Sequence, residues 1–141
     1  YPEDWSIEKI LKETKNYPRF KFFCQVGGGA CGAIFLKDEL GCQVSGLGSI
    51  IVFRTNKTNI KALVKKLSRF FFHENCDKCT PCREGTYRIL EILNKKGPVN
   101  KKALNDLFFA MEQTSFCALG SGAVCPIKGI LEKLIYAKEN L

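Results

Sequence analysis

Three cysteines stand at equal intervals in Cys76-Asp77-Lys78-Cys79-Thr80-Pro81-Cys82, and a fourth, Cys117, lies far downstream. Thiols at i, i+3 and i+6 can close on one small object if the backbone winds loosely around it. A remote fourth thiol then completes the cage. The pattern suits a cubane iron–sulfur cluster, in which each iron takes one thiolate. It suits a single zinc ion less well, because structural zinc sites usually draw two ligands from each of two knuckles. For the fourth position, spacing favours Cys117, in a loop between helices. It leaves Cys125 open, although that residue directly precedes a helix and reads as a small apolar filler. His73, the only histidine, lies three residues before Cys76 and reads as a structural residue rather than a ligand. Cys24, Cys31 and Cys42 have no tight spacing and read as buried free thiols.

The neighbours of the triple motif have roles a cluster would need. Pro81 restricts the chain between two ligands and removes one donor. Lys78 and Arg83, with the amides of a helix starting near Glu84, would offset the charge of four thiolates. Thr80 would shape the loop through a local hydrogen bond, and Phe70, Phe71, Phe72 and Phe116 would wall the site. No Ser/His/Asp set and no carboxylate pair in a convincing setting accompanies them. A cube with four ligated irons has no open position for substrate, so the expected chemistry is single-electron relay, with bond-making left to another cofactor.

The elements that must position these residues change character along the chain. Residues 6–15 read as a short amphipathic helix capped by Ser6, with Ile7, Ile10 and Leu11 on one face. Phe20 to Val26 is aromatic, alternating and β-prone, and runs into Gly27-Gly28-Gly29, which reads as a sharp turn rather than a phosphate cradle because no phosphate-loop pattern surrounds it. Ile34-Phe35-Leu36 is a short extended piece. Gly48 to Phe53 is the clearest strand, β-branched enough for burial on both faces. From residue 59 the apolar period becomes helical. Asn59 caps a helix over 60–72 with Ile60, Leu63, Val64, Leu67 and Phe71 inward. A second helix runs from Glu84 to Lys96 and stops at Gly97-Pro98. Asn100 caps a third, with Leu104, Leu107, Phe108 and Met111 on one stripe. Residues 116–122 form a loop, and Pro126 opens a fourth helix facing inward through Ile130, Leu131, Leu134 and Ile135. Four helices with short links predict a bundle with the cysteine loops at one end. The fold class is therefore α+β: a small piece over residues 1–57, then a helical domain over 58–141.

With 141 residues and 45% hydrophobic content, the chain can build a packed core. No apolar run approaches the ~20 residues of a membrane span. The first residues show neither the basic nor the apolar stretch of a secretory signal, which favours a reducing compartment and ligation over disulfides for the eight cysteines. The first residue is Tyr1, as expected of a fragment or a processed chain. The net charge of +8 is spread over several predicted helices with no dominant basic run. It reads as solvated helix faces, with an electrostatic docking surface for an acidic partner as the alternative.

Glu74-Asn75-Cys76-Asp77-Lys78-Cys79-Thr80-Pro81-Cys82-Arg83-Glu84-Gly85 closely resembles the ESCGxCxPCREG motif of the NADH-binding flavoprotein subunit of respiratory complex I. Related diaphorase subunits of NAD(P)-linked hydrogenases and formate dehydrogenases share it. Phe116-Cys117-Ala118-Leu119-Gly120 resembles that family's FCALG segment. The resemblance implies Cys117 as fourth ligand and leaves Cys125 outside the set. Gln25-Val26-Gly27-Gly28 and Gly46-Leu47-Gly48-Ser49-Ile50-Ile51-Val52 are similar, more loosely, to the strand-turn and strand of the family's ubiquitin-like β-grasp domain, which implies a partial β-grasp piece at residues 1–57. The family's FMN- and NADH-binding domain would lie before Tyr1, so FMN and NAD(P) are expected in a missing region or a partner. The chain is then either a part of a larger subunit or a shortened paralogue.

The expected function is an electron-transfer module with one [4Fe–4S] cluster on Cys76, Cys79, Cys82 and Cys117. It would relay electrons between a flavin and neighbouring Fe–S centres of an NAD(P)H-linked oxidoreductase. The resemblance implies partner subunits, among them a thioredoxin-like 2Fe–2S subunit and a ferredoxin-like Fe–S subunit. No nucleic acid, no direct membrane insertion and a cytoplasmic location are expected, peripheral to a membrane if the chain is held in a complex. The competing reading is a zinc-stabilised binding module, for nucleic acid given the charge; it lacks a basic stripe interleaved with aromatics.

Overall fold

The computed structural model describes residues 1–44 and 47–137. Gly46, the first residue of the second β-grasp match, lies outside the described residues. The chain divides into two compact units, Tyr1–Asn59 and Ile60–Leu141, and its class is α+β.

In the first unit, α1 (Ile7–Glu13) starts where expected: the Ser6 Oγ accepts from the Lys9 amide at 3.2 Å. It buries Ile7, Ile10 and Leu11. Three strands follow, β1 (Phe22–Val26), β2 (Ala33–Phe35) and β3 (Ile50–Arg54), in an antiparallel sheet of order β2-β1-β3. Cys24 pairs with Phe35 on one side and Val52 on the other. The aromatic segment is thus the central strand, buried at every position. Composition predicts burial on both faces for the β-branched segment 48–53, whose observed strand is β3. It is instead an edge strand with Ile51 at the surface. β-branched composition reports a fit to a pleated surface, not a central place in the sheet. One face of the sheet contributes Phe22, Cys24 and Val26 to a core with Ile7, Leu11 and Leu40. On the other, Phe23 stacks on Phe53 at 5.0 Å. The glycine run makes the turn predicted for it: Gly27 and Gly28 take φ of 104° and 126°, which side chains disfavour. The buried Gln25 amide is satisfied by donating to the Gly29 carbonyl at 3.1 Å.

The second unit is the four-helix bundle. α2 (Ile60–Glu74), α3 (Thr80–Asn94) and α4 (Lys101–Thr114) are followed by a short helix α5 (Ala118–Gly122) and then α6 (Val124–Ile130), which continues as a π-helical run over Leu131–Tyr136. α2 packs on α3, α3 on α4, α4 on α6 and α6 on α2, which closes the ring. Val64, Leu67 and Phe71 of α2, Ile89 and Leu93 of α3, Leu104, Phe108 and Met111 of α4, and Ile127, Ile130, Leu131 and Leu134 of the last helix form its core. Gly85 lets α3 lie against α4; a Cβ there would stand 2.5 Å from Met111 Sδ. Asn100 caps α4 as predicted, its Oδ1 accepting from the Ala103 amide at 3.0 Å.

α2 runs on to Glu74 and α3 stops at Asn94, each two residues from the sequence reading, and three further differences lie in the cysteine-bearing segments. α3 begins at Thr80 rather than Glu84, because Pro81 at the second helical position has a φ preset for a helix start and no N–H to lose. Residues 118–122 are a helical turn rather than loop. α6 begins at Val124, two residues before Pro126.

Candidate metal centre

The turn that carries the first thiols is built from side-chain to backbone hydrogen bonds. Past the end of α2, the Asn75 Nδ2 donates to the Phe72 carbonyl and its Oδ1 accepts from the Asp77 amide at 3.0 Å. Asp77 sits at φ 58°, a left-handed conformation that Asp tolerates better than most residues. It occupies the place of the glycine in the motif it resembles. Arg83, one turn into α3, reaches back: its Nη1 donates to the Asp77 carbonyl at 3.1 Å and its Nε to Glu84 Oε1 at 3.2 Å. The strained residue is thereby held from both sides.

Cys79 is the N-cap residue of α3 and Cys82 lies in its first turn; both are 5% exposed. Thr86 holds that turn, its Oγ1 donating to the Cys82 carbonyl at 2.9 Å. Cys117 is the N-cap residue of α5. Gly120 permits its approach to α3. A Cβ on Gly120 would stand 2.6 Å from Ser115 Oγ, 2.7 Å from Ser115 Cβ and 3.0 Å from Cys82 Cβ.

These elements bring Cys76, Cys79, Cys82 and Cys117 to the wall of one cavity of about 120 Å³, together with Glu74, Asp77, Lys78 and Leu119. One water needs only about 10–15 Å³ of such space. The thiols sense one another. Burial first, then the negative charge of Cys79, Cys117 and Cys76, pushes the Cys82 thiol up to about 11. Cys79 moves the other way. Backbone groups of Phe116, then of Cys82, favour its thiolate and lower its pKa. The helix geometry nonetheless gives Cys79 no side-chain capping bond.

Among the described residues no group of three or more His, Cys, Asp or Glu side chains closes on a point as a single-ion site does. Zinc–sulfur bonds of ~2.3 Å in a tetrahedron would put the sulfurs roughly 3.8 Å apart. Four thiols lining one cavity can give each iron of a polynuclear core one sulfur. Lys78, a cation, is among the residues that line the cavity.

The other candidates lie elsewhere. Cys125 is exposed on α6 and does not line the cavity. Cys24 is buried in β1, but Cys31 and Cys42, expected to be buried, are exposed. His73 is an exposed α2 residue with its ring against Phe72. The expected phenylalanine walls are absent from the cavity lining: Phe71 points into the bundle core, while Phe70 and Phe116 are 41% and 84% exposed. Three residues in a row on a helix cannot share one face. Asn75 lies within the first motif with its role unread, although its spacing to Asp77 is that of a local Asx turn. Glu74, Leu119 and Gly120 lie within the two motifs without a role that spacing assigns them, and Thr86 acts within its own helix; Ser115 carries no local signal because its place depends on α3, α4 and α5 meeting.

A helical bundle that gathers four cysteines around one cavity at the ends of its helices defines a candidate cluster-binding module. The chain belongs to the NADH-ubiquinone oxidoreductase-F iron-sulfur binding region family, whose model matches residues 62–136. The cofactor of this region is a [4Fe–4S] cluster. Among relatives, the NADH-quinone oxidoreductase F-subunit of Rickettsia rickettsii is 38% identical over 100 residues, covering 67% of this chain and 24% of that protein. An NADH-quinone oxidoreductase F-subunit of Rhizobium meliloti is 36% identical over 115 residues, covering 77% and 26%. NADH dehydrogenase [ubiquinone] flavoprotein 1 of Dictyostelium discoideum is 36% identical over 100 residues, covering 67% and 21%. The fold matches an NAD+-reducing [NiFe]-hydrogenase chain in the H2-reduced state with a TM-score of 0.80 at 24% identity, over 93% of this chain and 24% of that one. The chain thus spans about a quarter of the length of the proteins it matches. No helix among the described residues is long and apolar enough to cross a membrane.

Proposed function

We propose that Cys76, Cys79, Cys82 and Cys117 each hold one iron of the [4Fe–4S] cluster. In this reading the region relays single electrons between a flavin and a neighbouring Fe–S centre in an NAD(P)H-linked oxidoreductase of complex I, hydrogenase or formate dehydrogenase type. The observation that carries the assignment is the single cavity lined by all four cysteines. When bound, a cluster with four thiolate ligands supplies one-electron transfer and offers no open position to substrate.

The chain's own residues set the frame. Asn75 and Arg83 fix the turn between Cys76 and Cys79. Thr86 and Pro81 fix the helix start that presents Cys79 and Cys82. Gly120 admits the segment that brings Cys117. Lys78 and the α3 amides offset negative charge on the sulfurs. Residues 1–57 are assigned as a partial β-grasp domain and 58–141 as the cluster-binding domain. FMN and NAD(P) binding is placed outside these 141 residues. The partners are other subunits of the same oxidoreductase, a thioredoxin-like 2Fe–2S subunit and a ferredoxin-like Fe–S subunit among them, at a cytoplasmic location.

Iron and sulfide analysis with EPR on anaerobically prepared protein tests the reading. Four irons and four sulfides per chain are expected, with a signal that appears on reduction. Cys76→Ala, Cys79→Ala, Cys82→Ala and Cys117→Ala should each lose iron, and Cys125→Ala should keep it. A colourless protein with one tightly held zinc, or an iron-replete Cys117→Ala beside an iron-free Cys125→Ala, refutes the assignment.

A further inference from the structure

Ser115 ends α4 as its C-cap residue, two positions before Cys117. Its Oγ is buried and has no hydrogen-bond partner among the described residues. A buried hydroxyl left unpaired costs about 1–3 kcal/mol, so such groups call for an explanation. Its own helix does not provide one, although the hydroxyl of Thr114 next to it donates to the Ala110 carbonyl at 2.6 Å. The location does. Ser115 Oγ and Cys82 Cβ stand 2.6 Å and 3.0 Å from the same point, where a Gly120 Cβ would be. The orphan donor is therefore a near neighbour of the carbon that carries a cavity-lining thiol.

We propose that the Ser115 hydroxyl is a hydrogen-bond donor to the sulfur of Cys82 when iron is bound, and so a residue that sets the reduction potential. The inference rests on the assignment of Cys82 as a ligand. A neutral thiol is a weak acceptor, which leaves the hydroxyl without a worthwhile partner in the metal-free chain. A metal-bound thiolate carries negative charge and accepts the stronger, charge-assisted kind of bond. Such a bond strengthens as the sulfur gains charge on reduction, so it favours the reduced state. Hydrogen bonds to sulfur are among the levers that position these potentials. Ser115 acts through Cys82 and touches no reacting atom; it is a positioning residue.

The test compares wild type, Ser115→Ala and Thr114→Ala by iron and sulfide content, EPR and redox titration under anaerobic conditions. Ser115→Ala removes one atom and adds none, so it should fold and hold iron at wild-type stoichiometry. Its reduction should become about tenfold less favourable, ~59 mV more negative for a one-electron couple. Thr114→Ala, which removes an equivalent hydroxyl facing away, should titrate with wild type. Equal potentials in Ser115→Ala and wild type, with four irons in each, overturn the inference and leave the ligand assignment standing. A wild type without a four-iron centre overturns both. Where Ser115→Ala holds no iron, resonance Raman of wild type takes its place, recorded within minutes of transfer to D2O. Iron–thiolate bands that shift on this hydroxyl-exchange timescale support the bond, and bands that do not move overturn it.

Discussion

Gly120→Ala isolates the contact that brings the remote cysteine to the other three. The added Cβ would stand 2.6 Å from Ser115 Oγ, 2.7 Å from Ser115 Cβ and 3.0 Å from Cys82 Cβ. The hydroxyl can rotate away. The two Cβ atoms cannot, because each is bonded directly to backbone at a helix end. Accommodation therefore requires α5 to back away from α3 and from the end of α4. Overpacking of this kind costs about 1–3 kcal/mol, and two rigid contacts at or under 3.0 Å place this site in the upper part of that range. Alanine recovers up to about 1 kcal/mol through its better helix propensity, which leaves a net loss of about 1–2 kcal/mol. For a unit of this size that is a fall in Tm of roughly 5–15 °C. Because Cys117 opens the same short helix, the displacement carries it outward, and iron should leave faster as well.

The assay is anaerobic thermal unfolding of the iron-loaded chain, paired with the rate of iron release to a chelator. Gly41→Ala is the control, since a Cβ there would meet nothing within 4 Å among the described residues. Gly120→Ala should lose both stability and iron retention, and Gly41→Ala neither. A Gly120→Ala protein with the Tm and iron-release rate of wild type would refute the claim that this glycine lets the two cysteine-bearing segments meet.

Two further outcomes follow from other positions. Asp77→Gly should stabilise the iron-loaded chain by about 0.5–1 kcal/mol, since φ 58° costs a side chain more than a glycine; Asp77→Val should destabilise it, and thermal melts with the opposite order would contradict the strain. Burial pushes the Cys24 thiol up to about 11 from an ordinary 9.0, and the residue is fully shielded in the sheet core. A raised folded-state value means that its contribution is complete below pH 9.0 and is lost as pH rises toward about 11. Each pH unit corresponds to about 1.4 kcal/mol. The stability gap between wild type and Cys24→Ala should therefore narrow by about 2–3 kcal/mol across that window, as read from denaturant unfolding at successive pH values; a constant gap would show that the thiol ionises equally easily in both states.

The parts of the fold legible in sequence are those decided locally. Ser6 and Asn100 cap their helices because a short polar side chain before an apolar period has one good hydrogen-bonding option. The bundle faces follow from periodicity, and spacing and motif mark the three near cysteines with Cys117. What escapes depends on distant chain. Whether Ile50–Arg54 lies at the centre or edge of a sheet depends on how many strands pair with it, which its own composition does not record. The misplaced starts of α3 and α6 share a cause: Pro81 and Pro126 are compatible with several first-turn positions, and the chain uses the second for one and the third for the other. Gly120 and Ser115 are ordinary residues until α3, α4 and α5 converge on them.

The two helices that open at the cavity begin in an unusual way. Cys79 and Cys117 occupy the N-cap positions of α3 and α5, and neither side chain makes a capping bond. Ser, Thr, Asp or Asn would satisfy an amide there. The cysteines forgo that gain, which is intelligible if negatively charged sulfur at the helix start takes over the same electrostatic role once iron is bound. Cys79→Ser separates the two contributions. Serine restores a regular cap, so the iron-free variant should be more stable than iron-free wild type by about 0.5–1 kcal/mol. The same substitution removes a thiolate, so iron occupancy and the Tm of the loaded protein should fall. The two changes have opposite sign only if the position trades capping for ligation; a Cys79→Ser chain that is weaker in both states, or stronger in both, would show that it makes no such trade.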